Sequence, residues 1–577
     1  MIDRPSNAEL VRLFETIADY LSLDGETAYR MLAYERAART FREYPASIAD
    51  LASRGGLREL PGIGEAIEGK VLEYLATGEI GKLTQLRGKY PEGLLEIMHL
   101  PGVGPKTARH LWEALAITNL DELRLACERH AVRELPGMGD KKEANLLHAI
   151  TVYQTRSERS LAGVVEPQAA NLVEVLRAMP QVAAADYAGS LRRRRSTVRD
   201  IDLVVASTDP VAVMDAFAAR LELARIEERG ETKLVAVTHT EMNVDVRVVP
   251  PASYGNLLQH FTGSAEHNVA LRGHALRRGY KICEYNVEHV ASGRQITCTT
   301  EAEVYELVGL RYVPPELRED QGEIDASEKG LLPRLVELTD MRGDLHVHTD
   351  WTDGRATMEQ MAFAALERGL EYICFADHSQ SLAMAGGLGP ERLARQMEAI
   401  RELDARLPGI ELLCGIEVDI LADGRLDLPD ETLAQLDFVT ASIHSGFSQP
   451  QTQIMKRLRN AMENPYVRSI GHPTGRLLGR REPYEVDLEE LASLAAETGT
   501  FLEINASYDR LDLPAPAVRR AVGLGATIVI CTDAHHPTDF DNLKFGIWEG
   551  RRGWLEAKNV ANTRPFAEFR TVSPHKK

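Results

Sequence analysis

The sequence predicts a multidomain chain of mixed α+β and α/β class, with a helical N-terminal region, an α+β middle and a C-terminal α/β barrel of seven strand–helix units. Three observations lead there. The string Leu-Pro-Gly-x-Gly occurs at 60–64, 100–104 and 135–139, each time between two helical patterns. A Gly189–Ser190 pair stands about ten residues before a strand-like run that begins Asp200–Ile201–Asp202. Seven short apolar runs between Arg342 and His535 alternate with helical stretches such as Pro390–Leu407 and Leu488–Thr498, and each run stops at a polar residue.

At 577 residues the chain exceeds what one hydrophobic core organises, so several domains are expected. No apolar stretch approaches the roughly 20 residues of a membrane helix. The opening MIDRPSNAEL has no basic segment followed by an apolar one, so export is not expected. Six scattered cysteines without a CxxC are the usage of reduced thiols in a cytoplasmic protein. A net charge of −19 lowers the expectation of non-specific nucleic-acid binding. Local basic patches remain, at Arg192–Arg195 with Arg199, at Arg272, Arg278 and Lys281, and at Lys82, Arg87 and Lys89. Such patches neutralise phosphates with a steep salt dependence.

In each Leu-Pro-Gly-x-Gly copy two glycines flank one apolar residue. The resulting tight turn exposes N–H groups at the start of the next helix (Glu65–Leu75, Pro105–Ala116 and Asp140–Tyr153). That geometry binds a backbone phosphate whatever the base. One copy reads equally well as an ordinary helix–helix turn. Three favour DNA-backbone contact through Gly62, Gly64, Gly102, Gly104, Gly137 and Gly139, with Lys106, Lys141 and Lys142 adding charge.

In the middle part, Asp200 and Asp202 alternate along DIDLVVA and therefore project to one face of a strand. Asp245 lies in a second strand-like run, VDVRVV, that can pair beside it. Three carboxylates so placed form a hard oxygen site for two Mg²⁺ or Mn²⁺ ions. A lone DxD is more often a solvated strand edge; the upstream Gly-Ser makes it a nucleotidyltransferase signature.

The seven C-terminal runs are RGDLHVHT, EYICFADHS, LLCGIEVDI, DFVTASIHS, VRSIGHP, FLEINAS and TIVICTDAH. Their ends supply His346, His348, Asp353, His378, Glu417, His444, His472, Asp533 and His535, and the sixth ends near Asn505. In a parallel barrel these strand ends converge on one face. Imidazoles and carboxylates with almost no thiolate suit Zn, Mn or Fe. Asp377 and Ser379 read as supports for His378, and Arg476 reads as a solvated arginine.

On these strings, with His260–Phe261–Thr262–Gly263–Ser264, Asn268 and Arg272 added, residues 1–315 resemble the family X DNA polymerases. Residues 341–577 resemble a PHP domain, of the polymerase and histidinol phosphatase superfamily. The combination is the bacterial form of the family. The resemblance implies an 8-kDa-type helical domain with helix-hairpin-helix at 1–90, and fingers-like helices with two more such motifs at 91–160. It further implies a nucleotidyltransferase palm at 161–255, a thumb-like nucleotide-selecting subdomain at 256–315 and a distorted (β/α)7 PHP barrel at 341–577. Residues 316–340, acidic from Glu316 to Lys329, are expected to form a solvated linker that leaves the two centres mutually mobile. By motif position, the polymerase metal aspartates match Asp200, Asp202 and Asp245, and the triphosphate contacts match Gly189, Ser190 and Arg193. Phe261 and Gly263 match the sugar-proximal turn, and Asn268 and Arg272 match positions near the nascent base pair. All nine PHP ligand positions are filled, for up to three divalent ions.

The chain departs from the family at several places. His260 stands where an aromatic is usual, and Arg194 and Arg199 stand where glycines are common. Lys70 matches a Schiff-base lysine of lyase members, but two supporting lysines are Ala66 and Arg30 here. The expected function is gap-filling DNA synthesis in repair with dNTPs on gapped or nicked DNA, joined to 3′-end processing as a 3′–5′ exonuclease or at abasic sites. A monomer in the cytoplasm, at the nucleoid, is favoured. A DNA-end-binding scaffold with an impaired polymerase site and a small-molecule nucleotidyltransferase–phosphatase are the alternatives.

Overall fold

The computed structural model describes residues 5–572 apart from 6, 27, 45–46, 61, 99, 101–102, 141, 145, 148, 151–158, 221, 241, 479–480 and 482. Its first part is helical. Helices Asn7–Asp24, Ala28–Glu43, Glu65–Thr77, Pro105–Leu115 and Leu120–Glu128 surround a single core that includes Leu10, Phe14, Phe41, Val71, Leu94, Leu111 and Ile150. The two helical segments expected at 1–90 and 91–160 therefore share one hydrophobic interior. The boundary expected near 160 falls partly on residues outside those described.

The middle part is a mixed five-stranded sheet of β1 (Val182–Tyr187), β2 (Asp200–Ser207), β3 (Leu223–Arg229), β4 (Lys233–Thr238) and β5 (Asn243–Val249), in the order β1-β2-β5-β4-β3. Only β2 and β5 run parallel, with Asp202 directly opposite Asp245. The period of two sorts their side chains. Ile201, Leu203 and Val205 of β2 and Val244, Val246 and Val248 of β5 enter the core with helix Ala162–Arg177. Val204, Ala206 and Val249 pack toward helix Tyr254–Thr262 on the other side. Asp200, Asp202 and Asp245 share this second face. It is covered by Tyr254–Thr262, after which the chain continues into helix Ala265–Arg277 and a small three-stranded sheet spanning 280–296.

The C-terminal part is a parallel sheet of seven strands in sequence order: β6 (Gly343–Val347), β7 (Tyr372–Phe375), β8 (Glu411–Asp419), β9 (Phe438–Ser442), β10 (Val467–Ile470), β11 (Phe501–Asn505) and β12 (Ile528–Cys531). A bridge between Val347 and Ala534 brings the first and last strands together, so the sheet curls into a nearly closed barrel. Six of the strands are buried throughout and β8 is buried from Cys414 onward, as parallel strands between helices are.

The expectation of a solvated linker at 316–340 is corrected by the packing. Arg318 is fully buried, and a short helix, Glu323–Lys329, places Glu323 against the buried His267 at 2.6 Å. Glu316 pairs with Arg551 of the barrel at 2.8 Å and Glu319 with Arg193 at 3.1 Å. The acidic run looks solvated in sequence because its basic partners lie far away along the chain.

Candidate active site and metal centres

Each glycine hairpin presents a helix start. Gly62 and Gly137 have φ of +80° and +78°, a conformation that favours glycine. Gly64 and Gly104 are the N-cap residues of Glu65–Thr77 and Pro105–Leu115, with no side chain capping either helix. Nothing lies within 4 Å of where a Cβ would stand on Gly64, Gly104, Gly137 or Gly139, so these turns are open on that side. Gly102 and Lys141 lie outside the described residues. Lys70 lies in a cavity of about 670 Å³ beside the first hairpin, lined also by Arg30, Tyr34, Ala66 and Lys82. Its ammonium donates to the Ala66 carbonyl (3.2 Å) and sits 5.7 Å from the Tyr34 ring centre.

In the sheet, the three aspartates converge as the strand register requires. Gly189, at φ +60°, lies so close that a Cβ on it would come within 1.9 Å of Asp202 Oδ2. Its missing side chain is therefore what lets the carboxylate sit under the Gly189–Arg192 turn. Burial, and then the charges of Asp200 and Asp245, push Asp202 up to about 7. Carboxylates crowded together in this way repel one another, which a divalent cation would relieve; the residues fit one. Arg247 partly offsets the charge, donating to Asp245 at 3.0 Å and lying over the Phe261 ring.

The arginines of the 192–195 patch diverge. Arg192 is tied to Thr262 and to the buried Glu301, which Arg318 also holds. Arg193 donates to the Thr262 carbonyl (2.8 Å) and to Glu319. Arg194 turns away to Tyr187 Oη (2.6 Å) and to Trp548 of the barrel, so it does not crowd the aspartates. Its φ of +59° explains why glycine is the easier residue there: a side chain in this region costs about 1–2 kcal/mol.

Asn268 is buried. It accepts from Gln259 and donates to the His260 carbonyl at 2.7 Å, stapling the 260–263 turn. A Cβ on Gly263 would press on Asn268 Oδ1 at 2.7 Å. His260 packs edge-on to Phe261 and faces Glu284 at 3.4 Å, and burial lowers its pKa against the pull of that carboxylate. Arg272 lies one turn beyond Asn268 on the same helix.

All nine barrel residues singled out in the sequence converge. Three overlapping groups have ligand atoms within 4.8 Å of one another: His348, Asp353, His378 and His535; His346, His348 and Asp533; and His378, Glu417 and His444. His472 joins through Glu417 at 2.9 Å. Several of these atoms are buried without a hydrogen bond, among them His346 Nε2, both nitrogens of His348, His378 Nδ1 and Glu417 Oε2. His348 Nε2 faces Asp533 Oδ1 at 3.0 Å and Glu417 Oε2 at 3.8 Å. Burial, followed by His535 and His378, pushes the His348 pKa down to about 3, leaving a neutral imidazole with a free lone pair. Orphaned lone pairs facing carboxylates across ion-sized gaps are what a metal cluster requires, and the residues fit divalent ions.

Several supporting residues escaped the sequence reading. Glu503 accepts from His346 Nδ1 (2.7 Å) and from the His472 N–H, and Asp419 accepts from His444 Nδ1 (2.6 Å). Such carboxylates fix the tautomer and orientation of ligand imidazoles. A signal existed, since Glu503 and Asp419 stand two residues from Asn505 and Glu417 on the same strand faces. Asn505 donates to Asp533, and Asp377 accepts from Thr349, Thr352 and Gln396. Arg476 is not solvated as expected; it donates to the backbone carbonyls of Arg510 and Leu511. Arg510 lies 3.7 Å from Asp533 at the mouth of the cluster.

Fold and sites together define a nucleotidyltransferase joined to a metal-dependent phosphoesterase. The comparisons with known proteins agree. Residues 5–80 match a helix-hairpin-helix domain, 94–150 a SAM-like helix-hairpin-helix tandem, 257–319 the DNA polymerase beta thumb and 344–507 the PHP domain. The DNA polymerase/3′-5′ exonuclease PolX of Bacillus subtilis is 38% identical over 562 residues, 97% of this chain and 98% of that protein. The DNA polymerase lambda of Rattus norvegicus is 23% identical over 54% of this chain and 56% of its own length. A probable phosphatase of Thermoanaerobacter is 33% identical over 38% of this chain and 89% of its own. The chain belongs to the family X DNA polymerases that carry a C-terminal PHP domain. Among the described residues no helix is long and apolar enough to cross a membrane.

Proposed function

We propose that this protein fills short gaps in DNA during repair and processes 3′ ends with its barrel. The chain is a DNA polymerase with PHP-associated phosphoesterase activity, as its family membership implies. The observation that supports the finer reading is the parallel register of Asp202 with Asp245 beneath Gly189, on the same chain as a barrel that draws the nine candidate residues together.

Asp200, Asp202 and Asp245 would hold two divalent ions, Mg²⁺ or Mn²⁺. Such ions, when bound, activate a 3′-hydroxyl and neutralise the leaving pyrophosphate. Asp245, beside Arg247, is the carboxylate we assign to the primer 3′-oxygen and its proton. The Gly189–Ser190 turn offers N–H groups to the triphosphate, with Arg193 as its cation once Glu319 releases it. Phe261 and Gly263 line the sugar, and the Asn268 staple holds that turn, with Arg272 beyond it toward the base pair. The hairpin glycines grip template and downstream strand through backbone N–H groups.

In the barrel, the nine ligands would hold up to three ions, with Mn²⁺ favoured over Zn²⁺ or Fe because mixed imidazole–carboxylate sets accept it. Arg510 and Arg355, which line the same mouth, would meet the DNA phosphate. We favour 3′–5′ exonuclease action, with cleavage at abasic sites as a further substrate. Lys70 is assigned phosphate contact rather than Schiff-base chemistry, since Ala66 and Arg30 replace its usual lysine neighbours. The nucleoid is the proposed location.

Gapped DNA with dNTPs and Mg²⁺ or Mn²⁺ tests the assignment. Asp200→Ala/Asp202→Ala should lose synthesis and keep degradation, and His346→Ala/His348→Ala the reverse. Joint loss of both activities in either variant would contradict two separate centres.

A further inference from the structure

Helix Leu543–Arg552 of the barrel docks on the polymerase with one face. Lys544 meets Glu166 at 2.9 Å, Trp548 meets Arg194 at 4.1 Å from ring centre to guanidinium carbon, and Arg551 meets Glu316 at 2.8 Å. These positions, i, i+4 and i+7, form a single stripe. Beside it, Tyr508 lies so close to Gly163 that a Cβ there would come within 2.4 Å of the Tyr508 Cβ. Two ion pairs of the stripe bind the flanks of the polymerase. The central contact reaches the loop that carries the triphosphate turn.

That loop is wound tightly. The N–H groups of Arg193, Arg194 and Arg195 donate to the carbonyls of Gly189, Leu191 and Ser190. Arg194 ends the turn at φ +59°, where a side chain needs outside support. Its guanidinium finds that support between the Tyr187 hydroxyl and the face of Trp548. Resting on the polymerase reading above, we propose that Trp548 of the barrel is a positioning residue for nucleotide incorporation, holding Arg194 and with it the Gly189–Arg195 turn in its phosphate-binding shape. The barrel is thereby part of the nucleotide site, besides housing its own metal cluster.

The experiment is steady-state gap filling by the full chain, with 3′-end degradation as the check of an intact barrel. Trp548→Ala should raise the dNTP KM about fivefold, the scale of one cation–π contact, with kcat and degradation near wild type. Trp548→Phe, which keeps a ring face, should stay near wild type. Arg194→Gly should also stay near wild type, because glycine holds a positive φ unaided, and in that background Trp548→Ala should do nothing further. Arg194→Ala keeps the strained backbone without the stack and should raise KM as Trp548→Ala does. The idea fails if Trp548→Ala leaves KM unchanged or raises it equally in both backgrounds. Should Trp548→Ala lose degradation as well, equal KM values for Arg194→Ala and Arg194→Gly overturn it. A wild type that incorporates no nucleotide would refute the polymerase reading itself, and the proposal with it.

Discussion

Gly189 and Asp202 are packed so that the glycine's absent side chain is the space the carboxylate occupies: a Cβ would stand 1.9 Å from Oδ2. Gly189→Ala should therefore displace the aspartate and strain a backbone at φ +60°. Misplacing a reacting group by about an ångström costs on the order of 100-fold in rate, so incorporation should fall by at least that factor while 3′-end degradation persists. Paired assays of the two activities check this.

Glu503 and Asp419 hold His346 and His444 by hydrogen bonds without belonging to the nine proposed ligands. Glu503→Gln and Asp419→Asn should each weaken metal binding by the barrel by roughly 10- to 100-fold, with activity partly restored by excess ion. Titration with Mn²⁺, followed by degradation rate and by bound-metal content, measures this. Unchanged affinity in both variants would remove the orienting role.

Gly64 and Gly104 separate helix stability from DNA affinity. Aspartate is a better N-cap than glycine, and a Cβ meets nothing within 4 Å at either position. Gly64→Asp and Gly104→Asp should leave the melting temperature equal or higher. A carboxylate in the phosphate position should weaken binding to gapped DNA by about tenfold each at low salt, less at high salt. Melting curves and binding at two ionic strengths decide it; undiminished affinity would mean the hairpins do not hold phosphate.

Glu301 sits between Arg192 and Arg318, each 2.6 Å away. Against the burial that opposes ionisation, the two guanidinium groups pull its pKa from 4.5 down to about 2. A lowered carboxylate pKa contributes stability that is present above the unfolded value, near 4.5, and is lost as pH falls from there toward 2. The contribution at neutral pH is about 3 kcal/mol. Glu301→Gln leaves two arginines in low dielectric without a counter-charge and should cost about 3–5 kcal/mol. Urea denaturation should show the gap between wild type and variant wide at pH 7 and narrowed at pH 3. A gap independent of pH would contradict the ionised triad.

Much of the fold was legible because its signals are short-range and periodic. The seven apolar runs become β6 to β12, and DIDLVVA and VDVRVV become adjacent strands whose alternation alone puts three carboxylates on one face. The nine imidazole and carboxylate positions at the strand ends were visible for the same reason, since chain order maps onto position around a parallel barrel. Less was visible where a residue's meaning depends on a distant partner. Glu503 and Asp419 are ordinary acidic residues until His346 and His444 are brought beside them. Arg476 reads as solvated until the Arg510–Leu511 carbonyls meet it. Glu316, Glu319 and Glu323 read as a polar linker until Arg551, Arg193 and His267 neutralise them.

The sequence by itself determined the class of each part, the residues able to bind metal or phosphate, and the face from which most of them project. Those properties follow from side-chain chemistry and from repeats of two or 3.6 residues, which are local. Tertiary structure alone decided which charges are paired, and with whom. It turned an acidic segment into a packed joint, made Gly189 the space for Asp202, and laid Arg194 on Trp548, some 350 residues away in the chain. Burial and Coulomb interaction depend on distance through space, which local sequence does not encode.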